Sequence, residues 1–124
     1  MKVAVSAKGK TLRSRVADRF GRCPFFVVVD RDTMCFEPVA NPGLHETDAA
    51  GIEACRMLIR KGVDAVVVKN IGHNALVTLR GAGVEVYVGA QGAVLDAIER
   101  LKKQELAVAG GPTVGFQDGL DRVD

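Results

Sequence analysis

Apolar positions follow two rhythms along the chain, and the change from one to the other falls near residue 48. Before it, apolar residues alternate with polar ones or run together over a few positions, which is the strand pattern. Val3 and Val5 alternate with Ala4 and Ser6 in a short first strand that stops where Lys8-Gly9-Lys10 breaks the pattern. The run Cys23-Pro24-Phe25-Phe26-Val27-Val28-Val29, bounded by Gly21 and by Asp30-Arg31-Asp32, reads as a buried second strand. Pro24 has no N–H to give to a ladder, so the strand proper starts just after it. Asp30 to Thr33 suits a hairpin turn into a third strand, Met34 to Val39, whose Pro38 marks a sheet edge. Between the first two strands, Thr11 to Asp18 is compatible with a short helical turn.

Past the turn Asn41-Pro42-Gly43 the period lengthens. Ala49, Ile52, Cys55, Leu58 and Ile59 share one helical stripe from about Asp48 to Lys61, and Gly62 suits its C-terminal cap. Two strand-and-helix units follow. Val63 to Val68 precedes a helix from about Gly72 to Arg80, and Val84 to Val88 precedes one from about Gly92 to Lys103. Gly81-Ala82-Gly83 punctuates the units. Residues 1–108 form one predicted domain, and the glycine- and aspartate-rich remainder, 109–124, is predicted to be a flexible or loosely docked tail. Short crossovers after the third strand demand parallel strands with helices packed on the sheet, while the hairpin turns the second strand against the others. The expectation is an α/β domain with a five-stranded mixed sheet and helices on both faces.

Charge changes the picture more than composition does. A length of 124 residues supports one core, and 48% hydrophobic and 26% charged residues are ordinary globular values. The net charge of +2 gives no reason to expect nucleic acid or a membrane as partner. Its distribution is uneven, because residues 8–22 carry Lys8, Lys10, Arg13, Arg15, Arg19 and Arg22 against one acid, Asp18. That segment holds +5 and leaves −3 for the rest. Three cysteines without C-x-x-C spacing indicate neither a disulfide framework nor a zinc ribbon. With no apolar leader at residues 2–8, a reducing cytoplasm is the expected location.

In open α/β sheets ligands gather beyond the carboxyl ends of the parallel strands. Following each strand to that edge brings Lys8 and Gly9, then Asn70, Ile71, Gly72, His73 and Asn74, then Gly89 to Gly92. The antiparallel second strand starts there with Arg19, Phe20, Gly21, Arg22 and Cys23, and the third ends there with Asn41 and His45. Helices opening near Gly72 and Gly92 would aim unsatisfied N–H groups at the same rim. Such a rim suits an anion, although each glycine taken alone is equally a tight turn.

The stretch Arg15-Val16-Ala17-Asp18-Arg19-Phe20-Gly21-Arg22-Cys23-Pro24-Phe25-Phe26 resembles the Phe-Gly-Arg motif of the dinitrogenase iron–molybdenum cofactor biosynthesis family. That family comprises small NifX-like accessory proteins and the C-terminal domain of NifB. Gly62 to Ala75, followed by Leu79-Arg80-Gly81-Ala82-Gly83-Val84-Glu85-Val86, is similar to its second signature, and the likeness covers roughly residues 1–106. The resemblance implies a three-layer ribonuclease-H-like fold of strand order 3-2-1-4-5. It also implies binding of a molybdenum- or iron-containing sulfide cluster, and cluster-assembly proteins as partners. Many members carry histidine where this chain has Arg19, which favours charge complementarity over ligation at that position.

The rim anion site is thus expected at Lys8, Gly9, Arg19, Gly21, Arg22, Asn70, Gly72, Asn74 and Gly92, with Cys23 and His73 as candidate metal ligands. Arginines beside Cys23 would favour its thiolate, the form that binds metal, though free cysteine is also a small buried hydrophobe. Neutral imidazole is a common ligand, whereas His73 is equally a surface residue. Cys55 on the apolar stripe and Cys35 in the third strand read as structural. With Cys35 opposite Val28, the two thiols Cys23 and Cys35 would lie ~16 Å apart. Thiolate, imidazole and sulfide admit iron, copper and molybdenum alike. A ribonuclease-H-type nuclease would need an acid in the first strand, which has none. The expected role is therefore non-catalytic cluster binding. A regulatory module for a phosphorylated or nucleotide ligand at the same rim is the alternative, and a protein–protein adaptor comes third.

Overall fold

The computed structural model describes residues 1–44 and 50–113. Six strands form one sheet: β1 (Lys2–Ala7), β2 (Phe25–Asp30), β3 (Phe36–Ala40), β4 (Ala65–Val67), β5 (Glu85–Val88) and β6 (Ala107–Val108). Three helices accompany them: α1 (Ala50–Arg60), α2 (His73–Gly81) and α3 (Val94–Lys102). The sheet order is β3-β2-β1-β4-β5-β6. β1, β4 and β5 run parallel, and β2 runs antiparallel to both β1 and β3.

The five expected strands keep the expected order, and a sixth joins them. β6 pairs antiparallel with β5, Tyr87 opposite Val108 and Val88 opposite Ala107. It is two residues long and exposed, so no alternating pattern announces it. Of the expected tail, residues 114–124 lie outside the described residues, and residues 109–113 are held by main-chain contacts. The Ala109 amide donates to the Val86 carbonyl, the Arg80 guanidinium donates to the Ala109 carbonyl, and the Thr113 amide donates to the Ile71 carbonyl at 2.8 Å.

Two further expectations are corrected. Residues 11–18 contain no helix. Ser14 turns back on Thr11, and Ala7 and Val16 then form a one-residue bridge that leads the chain across the sheet end. The third strand starts at Phe36, so Val28 faces Glu37 rather than Cys35. Met34 causes the slip: its φ of 63° folds it into the hairpin turn, and Cys35 comes to sit opposite Asp30 as an exposed residue.

Strand alternation divides the core into two layers. Ala4, Phe26, Val28, Val66, Val68 and Val86 face α1 and α2 through Ala54, Leu58, Leu76 and Leu79. Val3, Val5, Val27, Val29 and Val67 face α3 through Val94, Ala97, Ile98 and Leu101. Phe20 and Phe26 pack with ring centroids 5.1 Å apart, and both are fully buried. Each such burial is worth about 1.5–3 kcal/mol. α1 ends where Gly62, at φ 74°, lets its own amide reach the Ile59 carbonyl and the Val63 amide reach the Leu58 carbonyl. Among the described residues, no helix is long and apolar enough to cross a membrane.

Candidate functional site

The basic segment is held to the sheet by its backbone. The Ala17 amide donates to the Ser6 carbonyl at 2.9 Å, and the Lys8 amide to the Arg15 carbonyl at 2.8 Å. On the α3 side, the Val16 amide donates to the Gly92 carbonyl at 2.8 Å. On the β4 side, Arg19 and Asn70 form a one-residue parallel bridge, and the Phe20 amide donates to the Asn70 carbonyl at 3.1 Å. Asn70 Nδ2 returns a bond to the Asp18 carbonyl at 3.1 Å. The Phe-Gly-Arg segment is a single 3-10 turn, Phe20–Arg22, whose Phe20 drops into the core and leaves Arg19 half-buried and Arg22 exposed above it.

A depression of about 340 Å³ opens at this place, lined by Lys8, Ala17, Asp18, Arg19, Arg22 and Pro24. Three of the six are cations, each among the expected rim residues. The one acid, Asp18, is 3.6 Å from Lys69 Nζ, which draws part of its charge. Lys10 adds a further cation close by, its ammonium 5.2 Å from the Phe25 ring centre. The Asp18–Cys23 stretch and the turn opening at Asn70 are therefore neighbours, joined by two hydrogen bonds.

Other expected residues do different work. Gly9 belongs to the loop's own packing, since a Cβ there would meet Ser14 Oγ at 2.5 Å. The α3 N-terminus near Gly92 is not open to an anion. The Val94 amide donates to the Ser14 carbonyl, the Leu95 amide to the Leu12 carbonyl, and the Ala93 amide to the Asp96 carboxylate at 2.9 Å. The site's own loop has taken the first two donors, and the helix's own Asp96 the third. At α2, as at α3, the N-cap residue supplies no side-chain hydrogen bond: Gly72 in one and Ala93 in the other. His73, half-buried, and Asn74, exposed, begin that helix next to the Asn70 bridge without lining the depression. His45 lies outside the described residues.

Cys23 sits beneath the depression rather than in it. It is fully buried, and its thiol donates to the Phe20 carbonyl at 3.2 Å. Burial pushes the Cys23 thiol up to about 12, outweighing the amide and Asn41 contacts that favour ionisation. Desolvation thus opposes the expected thiolate. Among the described residues, no group of three or more His, Cys, Asp or Glu side chains stands close enough to hold a metal ion.

Asn41 was placed at the rim by strand order, and its role emerges only from contacts. Its Nδ2 donates to the Cys23 carbonyl at 2.9 Å and the Gly21 carbonyl at 3.2 Å, and its Oδ1 accepts from the Gly43 amide at 2.9 Å. A buried asparagine thereby ties the 3-10 turn to the end of β3. The Asn-Pro-Gly turn signature concealed this clamp, because it explains asparagine locally. Asp18 and Lys69 were missed for a similar reason, since an isolated surface pair leaves no trace in a sequence.

The sequence model of the family described as dinitrogenase iron-molybdenum cofactor matches residues 1–104. The chain belongs to that family. Among solved structures, the orange protein of Desulfovibrio gigas in its apo form is similar, with 33% identity and a TM-score of 0.87, over 90% of this chain and 95% of that one. A Thermotoga protein described as a candidate NifB is 34% identical with a TM-score of 0.77, over 86% of this chain and 91% of that one. An uncharacterized Methanocaldococcus jannaschii protein is 29% identical over 80 residues, 60% of this chain. The match spans 65% of the length of that curated relative. For this member of the dinitrogenase iron-molybdenum cofactor family, the depression lies within the matched residues, at the Phe-Gly-Arg motif.

Proposed function

We propose that this chain binds and carries an anionic metal–sulfur cluster, or its precursor, as a non-catalytic accessory protein of metallocluster assembly. The observation that carries the reading is the depression lined by Lys8, Arg19 and Arg22. Sulfide clusters of molybdenum, iron or copper carry net negative charge, and three cations around one opening attract such an ion from every side. The family description and the likeness to a candidate NifB point to the same class of cargo. Arginine donors reach the cluster's outer sulfides as forked, permanently charged groups. Asn70, Gly72, His73 and Asn74 stand along the adjoining edge. Cys23 takes no part as a thiolate in this conformation, so charge and hydrogen bonding dominate the hold. The finer fold reading is ribonuclease-H-like, supported by the order β3-β2-β1-β4-β5 with β2 antiparallel. A reducing cytoplasm and cluster-assembly proteins complete the proposal.

The test is anaerobic reconstitution with tetrathiomolybdate, together with copper or iron salts, followed by desalting and metal analysis. Visible charge-transfer bands should accompany retained metal. At about 4 Å a unit charge pair is worth about 1 kcal/mol even in water-like surroundings. Reversing two charges in Arg19→Glu plus Arg22→Glu should therefore weaken uptake roughly a hundredfold after salt screening, in a variant whose circular dichroism still reports the folded domain. Undiminished uptake in that double variant overturns the site. Tight binding of a nucleotide or phosphorylated compound at the rim, with no metal retained, favours the regulatory alternative instead.

A further inference from the structure

A second cleft, of about 280 Å³, lies on the α3 face at the other end of the sheet. It forms where the C-terminal end of α3 meets β5, β6 and the β2–β3 hairpin. Leu101 and Leu106, both buried, and half-buried Tyr87 give it an apolar lining. Arg31, Lys102 and Gln104 supply its polar edge.

The two cations are poorly matched by the protein itself. The Arg31 guanidinium reaches the Met1 thioether sulfur at 3.6 Å, and Lys102 Nζ reaches that of Met34 at 3.4 Å. Thioether sulfur is a weak acceptor. The acids of the hairpin and of β5 are engaged elsewhere. The Asp30 carboxylate accepts the Asp32 and Thr33 amides, Asp32 pairs with the N-terminal ammonium at 3.5 Å, and Glu85 accepts the Tyr87 hydroxyl at 2.9 Å.

Backbone strain gathers at the same place. Among the described residues, only Met34 and Gln104 are non-glycine residues with left-handed φ, 63° and 59°. One occupies the hairpin turn, and the other follows α3, where its amide donates to the Leu101 carbonyl at 3.0 Å. Glycine or asparagine would accept either conformation with less strain. Both positions instead hold long side chains, one supporting Lys102 and the other lining the cleft. Residues kept in costly conformations concentrate at binding sites.

We infer that this cleft is a second ligand site, for a small organic anion with an apolar body, a medium-chain carboxylate. Its carboxylate pairs with Arg31 and Lys102 in place of sulfur, and its chain covers Leu101 and Leu106. The volume lies near the lower end of small-molecule pockets, which suits a short ligand. The site is independent of the rim.

Tyr87 is the one tyrosine and the chain has no tryptophan, so intrinsic emission reads this cleft. Octanoate is titrated at constant ionic strength, with acetate and 1-octanol as controls, and calorimetry gives a second measure. Octanoate should produce a saturable change that neither control reproduces, and Arg19→Glu plus Arg22→Glu should leave it intact. Arg31→Gln plus Lys102→Met should weaken binding roughly tenfold or more, since two charge-assisted contacts are lost. Gln104→Gly should weaken binding while its melting temperature holds or rises, which separates the ligand role from a structural one. No saturable response from either method overturns the inference. So does an equal response to 1-octanol or acetate, or undiminished binding in the Arg31/Lys102 variant.

Discussion

Replacing Asn41 with alanine removes the clamp on the 3-10 turn without touching a charge. The side chain is buried, and truncation deletes three hydrogen bonds to main-chain groups and a long one to the Cys23 sulfur, leaving the Cys23 and Gly21 carbonyls and the Gly43 amide without that partner. A stranded buried polar group costs about 1–3 kcal/mol, so with partial rescue by water the loss is about 3 kcal/mol. Unfolding entropy near 2.1 cal/mol/K per residue turns that loss into a melting point lower by about 12 °C. Circular dichroism melts of Asn41→Ala and the parent, matched in buffer, measure it. Arg22 rides on the released turn, so cluster uptake should fall together with stability. A drop below about 3 °C would refute the reasoning, because it would mean that solvent serves those carbonyls as well as the amide does.

Thiol chemistry gives two more predictions. At neutral pH, iodoacetamide should label Cys35 rapidly, and Cys23 and Cys55 only after denaturation, because Cys35 is exposed and the other two are buried; mass spectrometry of timed samples counts the adducts, and fast labelling of Cys23 would contradict its burial. The Cys23 and Cys55 thiols are both pushed up to about 12 by burial, from an ordinary value of 9.0. Below about pH 9 both states hold these protons; above it the unfolded chain releases them first, so stability falls with rising pH until the folded thiols ionise near 12. Denaturant melts between pH 8 and 11 should show this slope, and Cys23→Ala plus Cys55→Ala should flatten it.

The sequence disclosed the elements whose side chains alternate or recur over several residues. The valine run of β2 and the stripe through Cys55 and Leu58 declare their period and burial directly. β6 escaped because two exposed residues hold their place through main-chain bonds to Tyr87 and Val88, which no side-chain pattern encodes. The hairpin register slipped because Met34 takes a glycine-like conformation in the turn. At the site, clustered charge was legible, since six cations within fifteen residues must share a small area wherever the loop lies. Accessibility was not. Whether Cys23 faces solvent or core depends on Phe20 and Asn41 packing around it, and whether Gly92 opens a helix to ligands depends on where residues 12–16 settle.

The main-chain anchoring of residues 8–20 has an evolutionary consequence. Peptide groups fix the path of this loop at the end of the sheet, so the course of the backbone around the depression is set by main-chain bonds rather than by the charged groups of Lys8, Arg19 and Arg22. Under the proposed function, substitution at those three points would retune attraction for one cargo over another while the frame stays put. Selectivity can drift in this architecture by repainting a rigid mould.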